Sequence, residues 1–142
     1  MNKVLSVILI AVILVTLGTL GCTTGTPQAE EKYTEFYILG LDGKATDYPK
    51  ELSVGENGKV IVGIINREHQ MVNYQVQVII DDATNNQVGA IELAHNEKWE
   101  EIVSFTPDRV GDNQKVEFLL YKNGDSEPYL KLHLRIAVKE VK

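Results

Sequence analysis

Tyr129-Leu-Lys-Leu-His-Leu-Arg-Ile-Ala-Val-Lys139 places Leu130, Leu132, Leu134, Ile136 and Val138 on one side of the chain and Lys131, His133, Arg135 and Lys139 on the other. A period of two is the period of a β-strand, whose successive side chains point to opposite faces, so the stretch predicts a strand with one buried and one wet face. Val72-Asn-Tyr-Gln-Val-Gln-Val-Ile-Ile-Asp81 repeats the device, with Val72, Tyr74, Val76, Val78 and Ile80 set against Asn73, Gln75, Gln77 and Ile79. Further strands are expected over Tyr33 to Leu39, Glu51 to Val54, Lys59 to Ile65, Gln87 to Ala94, Trp99 to Phe105 and Gln114 to Lys122. Between them lie LDGK, GENGK, NREHQ, DDATNN, HNEK, TPDRVGDN and KNGDSEP, all rich in residues that favour turns. Short strands at this spacing, with no amphipathic helix, predict an all-β fold: an immunoglobulin-like antiparallel β-sandwich of seven to eight strands over residues 33–142. The cysteine pair of antibody domains is absent, and Trp99 is the large core group expected in its place.

Ahead of the sandwich the pattern is different. Val4 to Leu17 reads VLSVILIAVILVTL, apolar apart from Ser6 and Thr16 and preceded by Lys3. A segment with no polar face suits lipid or a translocon rather than a globular core. Residues 1–21 therefore read as an N-terminal apolar leader or anchor helix, and residues 22–32 as a flexible polar linker. The chain's one cysteine follows at once, and Thr19-Leu20-Gly21-Cys22 resembles the lipobox of exported lipoproteins, with Thr19 where that motif usually has a large aliphatic residue. The resemblance implies cleavage before Cys22 and lipidation of its thiol. The alternatives are an uncleaved span, at the short end of what crosses a bilayer, and simple secretion. Lipid anchor and span share a consequence: the domain is tethered to the cell membrane and faces outside.

Composition narrows the remaining choices. Fourteen Lys plus Arg stand against 20 Asp plus Glu, for a net charge of −6. With no basic cluster to displace counterions from phosphates, nucleic acid is not an expected partner. No G-x-S-x-G, H-E-x-x-H, P-loop or dinucleotide fingerprint occurs, and none of Ser53, Ser104 and Ser126 adjoins a histidine in sequence. The expectation is a non-catalytic binding or structural domain that carries no cofactor; the alternatives are an accessory subunit docked onto a membrane protein complex and an enzyme or carbohydrate-binding accessory. His69, His95 and His133 match no zinc or copper spacing and read as solvated groups. Asp81 to Asn86 gathers oxygen groups but lacks the glycine and terminal glutamate of a dedicated calcium loop, so it reads as turn chemistry. Glu97, Glu100 and Glu101 beside Lys98 read as the solvated start of a strand, and Asn66-Arg67-Glu68-His69 as a structural turn.

One surface departs from what solubility alone needs. If the strand from Val72 and the last two strands share a sheet, Ile79, Leu119, Tyr121, Tyr129 and His133 fall on its outer face among amides and cations. An apolar centre with a polar rim, anchored by tyrosines, is the composition of a contact surface. These five residues are the expected site for an envelope or membrane protein partner.

The order YTEFYILGLDGKATDYPKELSVGENGKVIVGIINRE, HNEKWEEIVSFTP, NQKVEFLLYKNG and PYLKLHLRI resembles the extracytoplasmic domain of an archaeal membrane family known as domain of unknown function 1616. The resemblance spans about Tyr33 to Val138. It implies archaeal origin, membrane association and a β-rich domain, and it lends no activity. Members of that family usually carry several transmembrane helices ahead of the domain, whereas this chain has a single leader.

Overall fold

The computed structural model describes residues 31–46 and 48–141. The leader or anchor helix, Cys22 and most of the linker lie outside the described residues. Within them the strands are β1 (Tyr33–Leu39), β2 (Glu51–Ser53), β3 (Gly58–Arg67), β4 (Val72–Ile80), β5 (Ala83–Leu93), β6 (Lys98–Phe105), β7 (Gly111–Lys122) and β8 (Leu130–Lys139). They form a three-stranded sheet in the order β1-β3-β6 and a five-stranded sheet in the order β2-β8-β7-β4-β5.

The period-two stretches bury the side they advertise. Tyr74, Val76 and Val78 of β4, Val116, Phe118 and Leu120 of β7, and Ile136 and Val138 of β8 are buried. They meet Val60, Val62 and Ile64 of β3 and Phe105 of β6 in one core. Phe105 and Phe118 join the sheets edge to face, with ring centroids 6.2 Å apart and planes at 79°. Stacking two sheets this way removes a contiguous apolar layer from water, which is the main favourable contribution to the fold.

Several details correct the sequence reading. The fold is not wholly antiparallel, because β2 runs parallel to β8, pairing Glu51 with Ala137 and Ser53 with Lys139. A three-residue edge strand that follows a long connection is free to enter the sheet in either direction. Asp81 and Asp82 alone make the β4–β5 turn, with φ of 48° and 70°. A two-residue turn with positive φ at both positions matches the twist of the flanking strands, so β5 begins at Ala83 rather than at Gln87. Asn85 and Asn86 are thereby strand residues, and their amides reach across to the other sheet. Asn85 Nδ2 donates to the Thr106 carbonyl at 2.8 Å while its Oδ1 accepts the Thr106 N–H at 2.7 Å, and Asn86 Nδ2 donates to the Ser104 carbonyl at 2.8 Å. The six-residue oxygen cluster considered for calcium is thus two turn aspartates and two side chains committed elsewhere. Trp99, opposite Ile64, is half-buried and packs against the core at its margin.

Candidate functional site

Two polar regions flank one short segment of β4, Asn73-Tyr74-Gln75, on opposite faces. The inward one is centred on Glu68, just past β3, which is only 5% exposed. Its Oε2 accepts from Thr34 Oγ1 at 2.7 Å and from the Tyr129 hydroxyl at 2.8 Å, and the Lys122 ammonium lies 3.5 Å away. Tyr74 OH lies 2.7 Å from Thr34 Oγ1. Because the single Thr34 proton goes to the carboxylate, Tyr74 donates to Thr34. The chain Tyr74 to Thr34 to Glu68, met by Tyr129 and Lys122, ties β1 and the end of β3 to β4, β7 and the start of β8. Every partner is a donor to an anion, which is what a buried carboxylate requires.

The titration behaviour follows from this arrangement. Burial pushes the Glu68 carboxyl up, but hydrogen bonds from Thr34 and Tyr129 and the charge of Lys122 together prevail and leave it below the ordinary carboxylate value. Burial and the neighbouring Glu68 push Tyr129 up to about 12, so its hydroxyl remains a donor across the physiological range. The Lys122 Nζ also sits 3.8 Å from the centroid of the Tyr129 ring.

Tyr129, 36% exposed, stays accessible but makes its hydrogen bond and ring contact with the Glu68 cluster rather than with the other four expected contact residues. In register it would stand beside Tyr121, yet its hydroxyl turns to Glu68 and its ring to Lys122, both belonging to the inward cluster. Ile79, Leu119, Tyr121 and His133 do share the outer face of the five-stranded sheet. Gln77, Leu119 and Lys131 form one row across it, and Ile79, Glu117 and His133 the next. Tyr121 is two residues from Leu119 on β7 and opposite Gln75. Ile79, Leu119 and Tyr121 are half-buried and His133 is exposed.

Beside Tyr121 the surface opens into a cleft of about 260 Å³ lined by Asn73, Gln75, Gly89, Ala90 and Gly124 along with the Tyr121 ring. It exists because β4 and β5 lose register between Tyr74 and Val76: Ile91 faces Tyr74 and Val88 faces Val76, so Gly89 and Ala90 bulge opposite Gln75. Gly89 has φ of +153°, and a Cβ there would lie 3.1 Å from Gln75 Cγ and 3.2 Å from the Tyr74 carbonyl oxygen. The bulge accordingly needs glycine, both for its backbone angle and for its closeness to β4.

The outer face of the three-stranded sheet carries a second apolar group that sequence reasoning missed. Leu39, Ile61 and Ile102 stand in one row, with Ile102 59% exposed. In the adjacent row Tyr37 lies over Gly63, where a Cβ would fall 2.0 Å from the ring, and its hydroxyl donates to Glu100 at 2.6 Å. Alternation over Lys59 to Ile65 is hidden by apolar residues on both faces, so the pattern gave no clue to which side faced out.

At the same end as Glu68 two turns are locked together. Asn66 donates through Nδ2 to the carbonyls of Gln70 at 2.8 Å and Leu93 at 2.7 Å, and its Oδ1 accepts the Glu68 N–H at 2.7 Å. His69 and His95 stack with centroids 4.4 Å apart, and the His69 N–H donates to His95 Nδ1 at 3.1 Å. Asn66 thereby ties its own turn to the turn that precedes β6. Among the described residues no group of three or more His, Cys, Asp or Glu is placed to hold a metal ion.

Two packed sheets of three and five strands, with a hydrogen-bonded polar cluster around Glu68 between them, define a small all-β sandwich domain. Its sequence matches the family described as Domain of unknown function (DUF1616) over residues 27–137, and the chain belongs to that family. No curated protein matches. Among solved structures, it is similar to the CARDB domain of the PF1109 protein from Pyrococcus furiosus in complex with di-metal ions. The TM-score is 0.54 at 12% identity, covering 80% of this chain and 100% of that one. A solution structure of the same domain gives 0.54 at 13%, covering 77% and 98%. A β-glucosidase from Listeria innocua in complex with glucose scores 0.50 at 18%, covering 80% of this chain and 17% of that one. At these identities the likenesses establish the fold alone.

Proposed function

We propose that this protein is a membrane-tethered, outward-facing β-sandwich module of the cell envelope with a non-catalytic binding or structural role. The observation that carries the reading is the division of polar groups in the domain. Glu68, Thr34, Tyr74 and Tyr129 hydrogen-bond one another inside, whereas the outer face of the five-stranded sheet gathers Ile79, Leu119, Tyr121 and His133 among amides and cations. Glu68 is buried among its donors, and the cleft beside Tyr121 is lined by uncharged residues, which suits binding. The apolar leader ending at Cys22 supplies the tether. The di-metal ions of the Pyrococcus furiosus domain are not carried over, since no comparable ligand group occurs among the described residues.

Intact mass of the protein purified from membranes tests the tether. A mature chain lacking residues 1–21 and carrying acyl mass is expected, and Cys22→Ser is expected to accumulate as uncleaved precursor. Two acyl chains are required for stable retention, at about 0.8 kcal/mol per buried CH₂. A mass that includes residues 1–21 replaces the lipid with a single span.

A second reading, an accessory subunit docked onto a membrane complex, is favoured by the outward row of half-buried Leu39 and Ile61 and exposed Ile102 on the other sheet. Cross-linking and mass spectrometry in native membranes separates the two. Cross-links from the Lys131 side of the domain support the first reading, and cross-links from Lys59 and Lys98 support the second.

A further inference from the structure

We propose that the cleft beside Tyr121 binds a neutral saccharide unit, which deepens the reading of this face as the binding face and rests on it. No charged side chain lines the cleft, so a phosphate, carboxylate or ammonium ligand would find no counter-charge there. A purely apolar ligand suits it no better, because Asn73 and Gln75 both point outward into the cleft from β4. Among the described residues nothing hydrogen-bonds the side-chain amide of either, nor the Tyr121 hydroxyl.

Each planar amide offers an acceptor oxygen and two donor hydrogens side by side. That is the pattern needed to answer adjacent hydroxyl groups, each of which is both donor and acceptor. Tyr121, opposite Gln75 in register, adds an aromatic face whose negative quadrupole attracts the weakly positive C–H face of a sugar ring. Alternating hydroxyl edges and C–H faces distinguish a saccharide from other uncharged ligands.

The backbone holds these groups in place before any ligand arrives. Asn123 Oδ1 accepts the Asn73 N–H at 3.0 Å, and the Asn123 N–H donates to the Asn73 carbonyl at 2.7 Å. The β7–β8 turn is thus fastened to β4 at the rim of the cleft. Gly124 in that turn, with φ of +76°, would meet nothing within 4 Å if given a Cβ, so the rim on that side is open. Gly89 forms the opposite wall without filling it. A volume of about 260 Å³ is below the usual range for drug-sized ligands and suits one sugar ring with its neighbour left in solvent.

The test is a nuclear magnetic resonance titration of the full chain in a detergent without a sugar headgroup. The probes are glucose, galactose, mannose and N-acetylglucosamine, each followed by a disaccharide of the same sugar. At least one is expected to give saturable shifts at the amides of Asn73, Gln75, Gly89 and Gly124. Tyr121→Ala should weaken that binding at least tenfold and Gln75→Ala about fivefold, while Tyr121→Phe and His133→Ala keep it within about twofold. If Tyr121→Ala fails to fold, Gln75→Ala alone carries the comparison. Absence of saturable shifts with every sugar overturns the proposal. So does an affinity unchanged by both Tyr121→Ala and Gln75→Ala, or saturation by an uncharged tripeptide where no sugar binds. Protease treatment of intact cells reports separately on the envelope reading: a protected domain overturns that reading without altering the sugar titration.

Discussion

Asn73, Tyr74 and Gln75 are consecutive, and the two sides of this segment have opposite characters. Tyr74 faces inward, fully buried, and its hydroxyl belongs to the chain that ends on Glu68. Asn73 and Gln75 face outward beside Tyr121 with their amides unengaged by other described residues. In the Glu68 cluster each polar group is held by its neighbours, so removing one strands the others. Outside, each is already exchanging with water, so removing one leaves little behind. The contrast separates residues that make the fold from residues that the fold displays.

The strongest way to break the comparison is to place a charge on the inner side. Val78→Asp, at a fully buried position, is expected to cost about 4 kcal/mol or more, because its carboxylate would have no partner in the core. Equilibrium urea denaturation reads the loss. Glu68→Ala comes next, at about 3 kcal/mol, since Thr34, Tyr129 and Lys122 would lose the anion they share. The half-exposed pair Glu35 and Arg67, at 3.0 Å, supplies the contrast: Glu35→Ala should cost under about 1 kcal/mol.

Acidity gives a gentler probe of the same cluster. The Glu68 carboxyl titrates below its ordinary value of 4.5 in the folded protein. Its contribution to stability is therefore complete above the unfolded value and is lost as pH falls through the folded one. Wild type should lose stability across that acid window more steeply than Glu68→Gln, compared by urea midpoints at matched pH. Parallel curves would mean that the Glu68 charge contributes nothing. The smallest effect belongs to the outer face. Leu119→Ser combined with Tyr121→Ser should lower stability by no more than about 1 kcal/mol while abolishing the cross-links formed from this face in membranes.

How much of this was legible depended on where alternation was clean. β4 and β8 alternate strictly, and their buried and exposed sides could be read residue by residue. β3 could be read as a strand, but with Ile61 and Ile65 as apolar as Val60 and Ile64 its faces could not be told apart. The Asp81–Asp82 turn was too short to notice within a run of six turn-favouring residues. Glu68 was hidden for a different reason: its partners Thr34, Tyr74, Lys122 and Tyr129 come from distant strands, and no local pattern records their convergence. A faint signal existed in Thr34 and Lys122, polar residues at positions that continue the apolar sides of β1 and β7. Tyr129 precedes β8, so strand parity says nothing of its hydroxyl, which reaches Glu68 while the residue stays 36% exposed. The cleft was beyond sequence reading, since it arises from one extra residue in β5 relative to β4.

The most direct measurement is urea denaturation of Tyr74→Phe alongside Gln75→Ala, adjacent residues on opposite sides of β4. A loss of about 1 to 2 kcal/mol is expected for Tyr74→Phe, whose hydroxyl is buried in the Glu68 cluster, and under about 0.5 kcal/mol for Gln75→Ala. Equal losses, or the larger loss at Gln75, would contradict that contrast.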